Sequence, residues 1–209
     1  MRTETTTTTT TTTIYEFEEL DEAVKEKVIE KFHDINTDYD WWEHIYEMYM
    51  DRDTETGFDI DKIYFSGFRS QSDGAMFEGS PNEDILHFIT PRYNNQQYQK
   101  NWSRVIKLIK NGDINIYGSF KHHGHYYHSK SYSDNLETEF TNDWQYKNYS
   151  NIEDICEDIL EEIREYYEDL CNKIYHSLEQ EYEYFTSREA IEETIIANEY
   201  EFTEDGKQY

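Results

Sequence analysis

The chain has 209 residues, of which 46 are acidic and 19 are basic, so its formal net charge at neutral pH is −27. This length suits one compact domain. A charge of this sign repels the phosphate backbone of nucleic acids, so the composition disfavours direct binding to DNA or RNA. The acidic residues either serve only to keep the protein surface hydrated, or they form a surface that binds a basic partner.

The chain contains no apolar run of the length that spans a membrane and no segment that resembles a secretion signal, which predicts a cytoplasmic protein. Aromatic residues make up 17% of the chain and can bury enough area for a core. The two cysteines, Cys156 and Cys171, are fifteen positions apart in one predicted helix. They are therefore separated by about 22 Å along its axis and are not expected to bond to each other.

The first elements follow a threonine tract, TETTTTTTTTT, at residues 3–13. Its low complexity predicts a partly disordered N-terminal segment over residues 1–13, whereas its β-branched side chains favour a strand where it continues into Ile14 and Tyr15. From Asp21 to Phe32, apolar residues recur at spacings of three and four, which predicts an amphipathic helix. A second short helix is predicted over residues 40–50.

Alternating apolar residues over 58–68 predict a strand with one irregularity, and a second strand is predicted over 75–78. A helix over 102–110 is followed by Asn111-Gly112, which is a C-terminal stop signal. The aromatic and small residues of 114–135 then predict one or two strands, with bends at two glycines, Gly118 and Gly124.

The last third of the chain predicts a long helix, because apolar residues recur along one stripe from Ile152 to Tyr182. A second helix is predicted from Ser187, which can act as its N-cap. Between Asn151 and Tyr209 there are nineteen acidic and four basic residues. The fold class is therefore α+β: residues 14–209 form a single domain with a mostly antiparallel sheet and packed helices, including a long acidic C-terminal helix.

Several segments together resemble a group of uncharacterised phage-encoded proteins that are sometimes labelled antitoxin-like. The resemblance is carried by YEFEELDEAVKEKVIEKF at 15–32, DWW at 40–42, a motif of the form FSGFxSQxDGAxFxG at 65–79, and the tail at 178–206. It implies a bacteriophage or prophage source and a role in the contest with host defence. It implies no catalytic residue.

Small polar residues crowd the segment between the two predicted central strands and form a candidate ligand-binding loop. Backbone amides of glycine-rich turns can cradle an anion, and an arginine can bind a phosphate with two nitrogens. This interpretation predicts a nucleotide or signalling molecule as the ligand. The alternative is a plain hairpin whose Asp-Gly turn selects the register. The candidate ligand-binding residues are Ser66, Gly67, Arg69, Ser70, Gln71, Asp73 and Gly74.

Four histidines lie within seven residues, at 122, 123, 125 and 128. On a strand, His123 and His125 would project from one face and could bind a divalent transition metal together with a further ligand. The alternative is an aromatic-rich exposed hairpin whose histidines pack beside Tyr126 and Tyr127. No recognised nucleophile motif is present, so a metal-dependent enzyme that uses this cluster remains an alternative rather than the leading hypothesis.

The leading hypothesis is a binding protein that inhibits a host defence or toxin protein. Its acidic C-terminal helix would occlude a basic surface on that partner, such as a nucleic-acid-binding groove, and electrostatic complementarity would select the partner. No cofactor is expected for this role. The candidate partner-binding residues are Glu161, Glu162, Glu165, Glu168 and Asp169.

Overall fold

A computed structural model describes residues 11–89, 96–141 and 151–209, so residues 1–10 of the predicted N-terminal segment lie outside it. It confirms an α+β fold with antiparallel sheets and a long C-terminal helix. The helices are α1 Glu22–Lys31, α2 Glu43–Met50, α3 Ile85–Ile89, α4 Gln96–Lys110, α5 Ile152–Phe185 and α6 Arg188–Ala197. The strands are β1 Tyr15–Glu16, β2 Phe58–Ser66, β3 Gly74–Pro81, β4 Ile114–Tyr117, β5 Phe120–His122, β6 Tyr132–Asp134, β7 Glu137–Phe140 and β8 Glu201–Phe202.

The chain divides into two compact units. The central unit is Trp42–Glu179 and carries α2 to α4, β2 to β7 and most of α5. The terminal unit combines the described residues up to Trp41 with Gln180–Tyr209, so both ends of the chain contribute to it.

The main sheet of the central unit has the strand order β2-β3-β5-β6, and all of its neighbours are antiparallel. The β2–β3 pairing runs from Phe58 opposite Pro81 to Ser66 opposite Gly74. Its register shifts between Ile60 and Lys62, which confirms the predicted irregularity. The segment predicted to hold one or two strands instead forms β4, β5 and β6, because the chain bends at the two glycines, each with positive φ.

Helix α5 packs on this sheet through Tyr167, which is fully buried. Its ring stacks on Phe120 with centroids 3.9 Å apart and lies 4.4 Å from the ring of Phe77. The Tyr167 hydroxyl donates a hydrogen bond of 2.6 Å to the Phe77 carbonyl. The buried hydroxyl therefore has a partner, and the predicted docking of the helical stripe on the sheet is confirmed.

The buried positions of α5 recur at spacings of three and four, as expected for one face of a helix. Both cysteines are buried on this face and are free thiols. Burial raises the pKa of the Cys171 thiol to about 12, because the charged form would be desolvated. The buried residues of α5 are Ile152, Ile155, Cys156, Ile159, Leu160, Ile163, Tyr167, Leu170, Cys171, Ile174 and Leu178.

The terminal unit closes around its own apolar core. Strand β1 pairs with β8, and a 3₁₀ turn follows β1 directly at Phe17–Glu19, so the first strand is shorter than a continuation of the threonine tract would give. Ser187 caps α6 as predicted, since its side chain accepts the amide hydrogen of Ala190 at 3.3 Å. The buried core residues are Phe17, Leu20, Val28, Ile191, Ile195 and Phe202.

An ion-pair cluster joins α1 to α6 in the terminal unit. The guanidinium of Arg188 contacts the carboxylates of Glu22 and Glu26 on α1 and that of Glu192 on α6. Because three carboxylates surround one cation, the pKa of Arg188 is raised. The same arrangement places three like charges close together, so the arginine is needed to offset their repulsion.

Candidate functional site

One side of α5 in the central unit is exposed and acidic. The buried residues of α5 lie along one stripe of the helix, so the residues on its opposite side are exposed to solvent. These exposed residues recur every three or four positions. Sixteen residues separate the first and last carboxylates, which corresponds to about 24 Å along the axis. The acidic face consists of Glu153, Asp154, Glu157, Glu161, Glu165 and Asp169.

Three of the five residues predicted to bind a partner lie on this face, namely Glu161, Glu165 and Asp169, whereas Glu162 and Glu168 are half-buried. Glu168 is engaged within the fold: the Tyr132 hydroxyl donates to it at 3.4 Å and the Lys130 ammonium lies 3.6 Å away. Glu168 is therefore better placed to hold β6 on α5 than to meet a partner.

Sequence reasoning missed the first turns of the face, which carry Glu153, Asp154 and Glu157. A signal is present in the sequence, because Glu153 continues the spacing of four that joins Glu157, Glu161 and Glu165, and Asp154 lies three positions before Glu157.

Arg164 is the one basic residue between positions 152 and 169, and it is directed chiefly at another element. The Arg164 guanidinium donates to the Asp134 carboxylate of β6, with an Nη2 to Oδ1 distance of 3.1 Å. A further bond of 3.3 Å reaches Glu161. Hydrogen bonding to Asp134 raises the pKa of Arg164, so its charge is committed chiefly to Asp134.

The candidate ligand-binding loop contains its own anion. The Asp73 carboxylate accepts the backbone amide hydrogens of Arg69 at 2.9 Å and of Ser70 at 2.6 Å. The loop is also held to α5, since the Tyr175 hydroxyl donates to the Gly67 carbonyl at 3.1 Å. The two amides that could have cradled a phosphate are thus occupied, while the Arg69 side chain is exposed. Ligand binding by Ser66–Gly74 stays a prediction.

Strands β2 and β3 form a hairpin, as the alternative predicted, but an Asp-Gly turn does not set its register, because the connection spans the seven residues 67–73. Gly74 is instead the first residue of β3 and pairs with Ser66. A Cβ at Gly74 would lie 2.7 Å from the Cα of His128, so the close approach of that backbone requires glycine. The Ser66 hydroxyl oxygen is buried and has no hydrogen-bond partner within the described part of the chain.

The histidine cluster does not have the geometry expected of it. Strand β5 ends at His122, and Gly124 has a φ of 96°, so strand alternation does not reach His123 and His125. Both of these side chains are exposed in the loop that follows β5. Among the described residues, no group of three or more His, Cys, Asp or Glu side chains could hold a metal ion. Metal binding by His123 and His125 stays a prediction that the strand argument no longer supports.

The loop that holds these histidines packs on the outer side of the β2–β3 hairpin. The ring of Tyr127 stacks on Tyr64 with centroids 5.4 Å apart, and His122 stacks on Tyr64 at 5.3 Å. The His122 Nε2 lies 3.2 Å from the Tyr126 carbonyl. This arrangement matches the alternative in which histidines pack beside tyrosines, except that the tyrosines belong to both the loop and the hairpin.

These features define an α+β protein whose longest helix presents an acidic face. Residues 41–188 match a family model described as "Domain of unknown function (DUF8835)", which covers more than half of the sequence, and the chain belongs to that family. No curated protein and no solved structure matched the chain. The family match includes the whole central unit. Among the described residues, no helix combines the length and the apolar character needed to cross a membrane.

Proposed function

We propose that the protein acts by binding, and that the acidic face of α5 occludes a basic surface on a partner protein. The observation that carries this proposal is the row of exposed carboxylates on one side of a single well-packed helix. A rigid helix holds these charges in fixed positions, so a complementary surface can meet several of them together. Electrostatic complementarity of this kind accelerates association and selects the partner.

The spacing of the charges suggests which basic surface is met. The six carboxylates of the acidic face extend over about 24 Å, or one charge in about every 4 to 5 Å. One strand of duplex DNA carries one phosphate for about every 3.4 Å of the helix axis. A groove that binds a nucleic acid backbone is therefore a suitable partner surface, and the protein would compete with the nucleic acid for it.

The resemblance to phage-encoded, antitoxin-like proteins supplies the setting for this proposal. In that setting the partner is a host defence or toxin protein, and binding takes place in the cytoplasm of the bacterial host. The protein would act as an inhibitor by occupying the surface and would need neither a catalytic residue nor a cofactor.

The test compares three forms of the full chain as bait in a host lysate at low and high salt. The face variant carries Glu157→Gln, Glu161→Gln and Glu165→Gln, which removes three charges from α5. The control carries three changes of the same type at exposed positions of the terminal unit, which are Glu30→Gln, Glu193→Gln and Glu204→Gln.

Proteins that the wild type and the control retain, but the face variant loses, are the expected partners. For such a purified pair, we expect Kd to rise steeply with salt, because screening shortens the reach of exposed charges. Nucleic acid should displace the protein from its partner. Equal binding by the face variant and the control, or an affinity that does not respond to salt, would contradict the proposal.

A further inference from the structure

The loop between β5 and β6, residues 123–131, covers the outer side of the β2–β3 hairpin and is here called the cap. Met76 of β3 has no exposed surface and lies directly opposite Tyr64, whose ring stacks on the cap. Directly opposed residues of an antiparallel pair project from the same face, so Met76 is buried on the side that the cap covers. The approach is closest at Gly74, where a Cβ would lie 2.7 Å from the Cα of His128.

A single imidazole ring fixes the turn that ends the cap. The backbone amide of Lys130 donates to Nδ1 of His128 at 3.2 Å, so this nitrogen carries a lone pair and the ring is neutral. In the same turn, the amide of Ser131 donates to the His128 carbonyl at 2.8 Å. The amide of His123, at the start of the cap, donates to the Ser131 carbonyl at 2.9 Å. Ser131 is buried, and the turn therefore anchors the cap to the fold.

Protonation of His128 is incompatible with this turn. A hydrogen on Nδ1 would point at the amide hydrogen of Lys130, so the acceptor would become a second donor and the hydrogen bond would be lost. Histidine is the side chain that ordinarily changes its charge between pH 5 and pH 8. The closed cap loses a hydrogen bond when the ring binds a proton, whereas an open cap loses none. A falling pH therefore favours the open form.

The surroundings of His128 do not offset this loss. Among the described residues, no carboxylate forms an ion pair with its ring, which stacks on the ring of Tyr126 with centroids 6.1 Å apart. The carboxylates of the hairpin and of α5 that adjoin the cap already have partners, and they are Asp73, Glu78 and Glu168. The groups around the ring that carry or gain positive charge add repulsion in acid, and they are Lys62, Lys121, His122, His123, His125 and Lys130.

A buried hydroxyl beneath the cap gives an independent reason for opening. Ser66 lies directly opposite Gly74, against which the His128 backbone packs, so the Ser66 side chain is on the covered face. Its hydroxyl oxygen is buried and has no hydrogen-bond partner in the part of the chain that the structure describes. Such a group raises the free energy of the closed form, and water would satisfy it in the open form.

We propose that the cap is an acid-released cover on the outer side of the β2–β3 hairpin, and that protonation of His128 at Nδ1 opens it. Opening exposes Met76 and the hydroxyl of Ser66. The cap shares no residue with the acidic face of α5, so this conclusion does not depend on the proposed function.

The test measures how fast dilute hydrogen peroxide oxidises Met76 in the full chain between pH 8 and pH 5, with peptide mass spectrometry as the readout. Met48 keeps 46% of its surface exposed and serves as the internal reference for the reagent. His128→Asn retains an acceptor oxygen for the amide two positions later but does not titrate, whereas His128→Ala removes the acceptor. The matched control is His125→Asn, which removes an exposed imidazole of the same cap.

In the wild type, we expect the ratio of the Met76 rate to the Met48 rate to rise about fivefold from pH 8 to pH 5, which is the factor that corresponds to one lost hydrogen bond. The same rise is expected for His125→Asn. His128→Asn should keep Met76 protected throughout, and His128→Ala should allow rapid oxidation already at pH 8. A constant ratio in the wild type, or an equal rise in His128→Asn, would overturn the proposal.

Discussion

The Asp73 carboxylate accepts the backbone amide hydrogen of Ser70 at 2.6 Å, so the residue that ends the β2–β3 loop also ties the loop together. The same oxygen accepts the amide hydrogen of Arg69, four positions earlier. A Cβ at Gly67 would already lie 3.3 Å from this oxygen. The internal carboxylate therefore fixes the backbone of the loop, and the Arg69 side chain extends from this backbone into solvent.

Removing this carboxylate should loosen the loop. We expect Asp73→Ala to lower the free energy of unfolding by about 1–3 kcal/mol, because two charge-assisted hydrogen bonds to backbone amides are lost. Asp73→Asn should lose less, since its amide oxygen can still accept. Urea unfolding measures the difference, and the exposed Gln71→Ala serves as the control with little change. Equal losses for Ala and Asn would show that the negative charge is required and an acceptor oxygen alone is not enough, whereas an Asp73→Ala protein as stable as Gln71→Ala would contradict the role of the carboxylate.

Gly74 should not tolerate a side chain. In Gly74→Ala the new Cβ would meet the Cα and Cβ of His128 at 2.7 and 2.8 Å, so the backbone of the histidine loop must move. We expect a loss of about 1–3 kcal/mol and altered amide shifts around Tyr127. The control is Gly67→Ala, whose nearest contact is a side-chain oxygen at 3.3 Å. A Gly74→Ala protein as stable as the wild type would contradict the close approach.

The Arg188 cluster makes the terminal unit sensitive to charge. Arg188→Met leaves Glu22, Glu26 and Glu192 facing one another without their shared cation. We expect a lower thermal unfolding midpoint, with a larger decrease at low salt than at high salt, because salt screens the repulsion between the carboxylates. Adding Glu192→Gln to the arginine variant should restore part of the loss. A decrease that is independent of salt would point to lost packing instead.

Alkaline pH should destabilise the central unit through Cys171. The pKa of the thiol rises from 9.0 to about 12 in the folded protein because the thiolate would be buried. Below pH 9 both states keep the proton and stability is unaffected. Above that value only the unfolded state releases it, so the free energy of unfolding falls by about 1.4 kcal/mol per pH unit for this group.

The measurement is the urea midpoint between pH 8 and pH 11 for the wild type and for Cys171→Ala. The urea midpoint of Cys171→Ala should decline less steeply with pH, because the variant lacks one group that releases a proton on unfolding. Its stability at pH 8 should be lower than that of the wild type, because a buried group is removed. In the folded wild type, the thiol should react slowly with disulfide reagents. Parallel declines in the two proteins would show that Cys171 does not titrate as its burial implies.

The two candidate sites differ in how far the sequence could predict them. Half of the acidic face was predicted, because residues four apart share one side of any helix. The role of Asp73 was not, since a carboxylate that bonds backbone amides a few positions back leaves no mark in the sequence beyond a small-residue turn. The prediction that His123 and His125 share one face failed for a related reason: strand alternation requires extended backbone, and Gly124, which lies between the two histidines, has a positive φ.

By itself, the sequence predicted the existence of α1, α2, α4, α5 and α6, but not of the short helix α3. The buried stripe of α5, the Ser187 cap of α6 and the α4 stop at Asn111-Gly112 all follow from interactions among residues a few positions apart. Only the tertiary structure decided the strand order and the pairing of β1 with β8 across almost the whole chain, which places Glu16 opposite Glu201. Such contacts join distant segments whose mutual affinity depends on the complete packing around them, and no local pattern records which segments will meet.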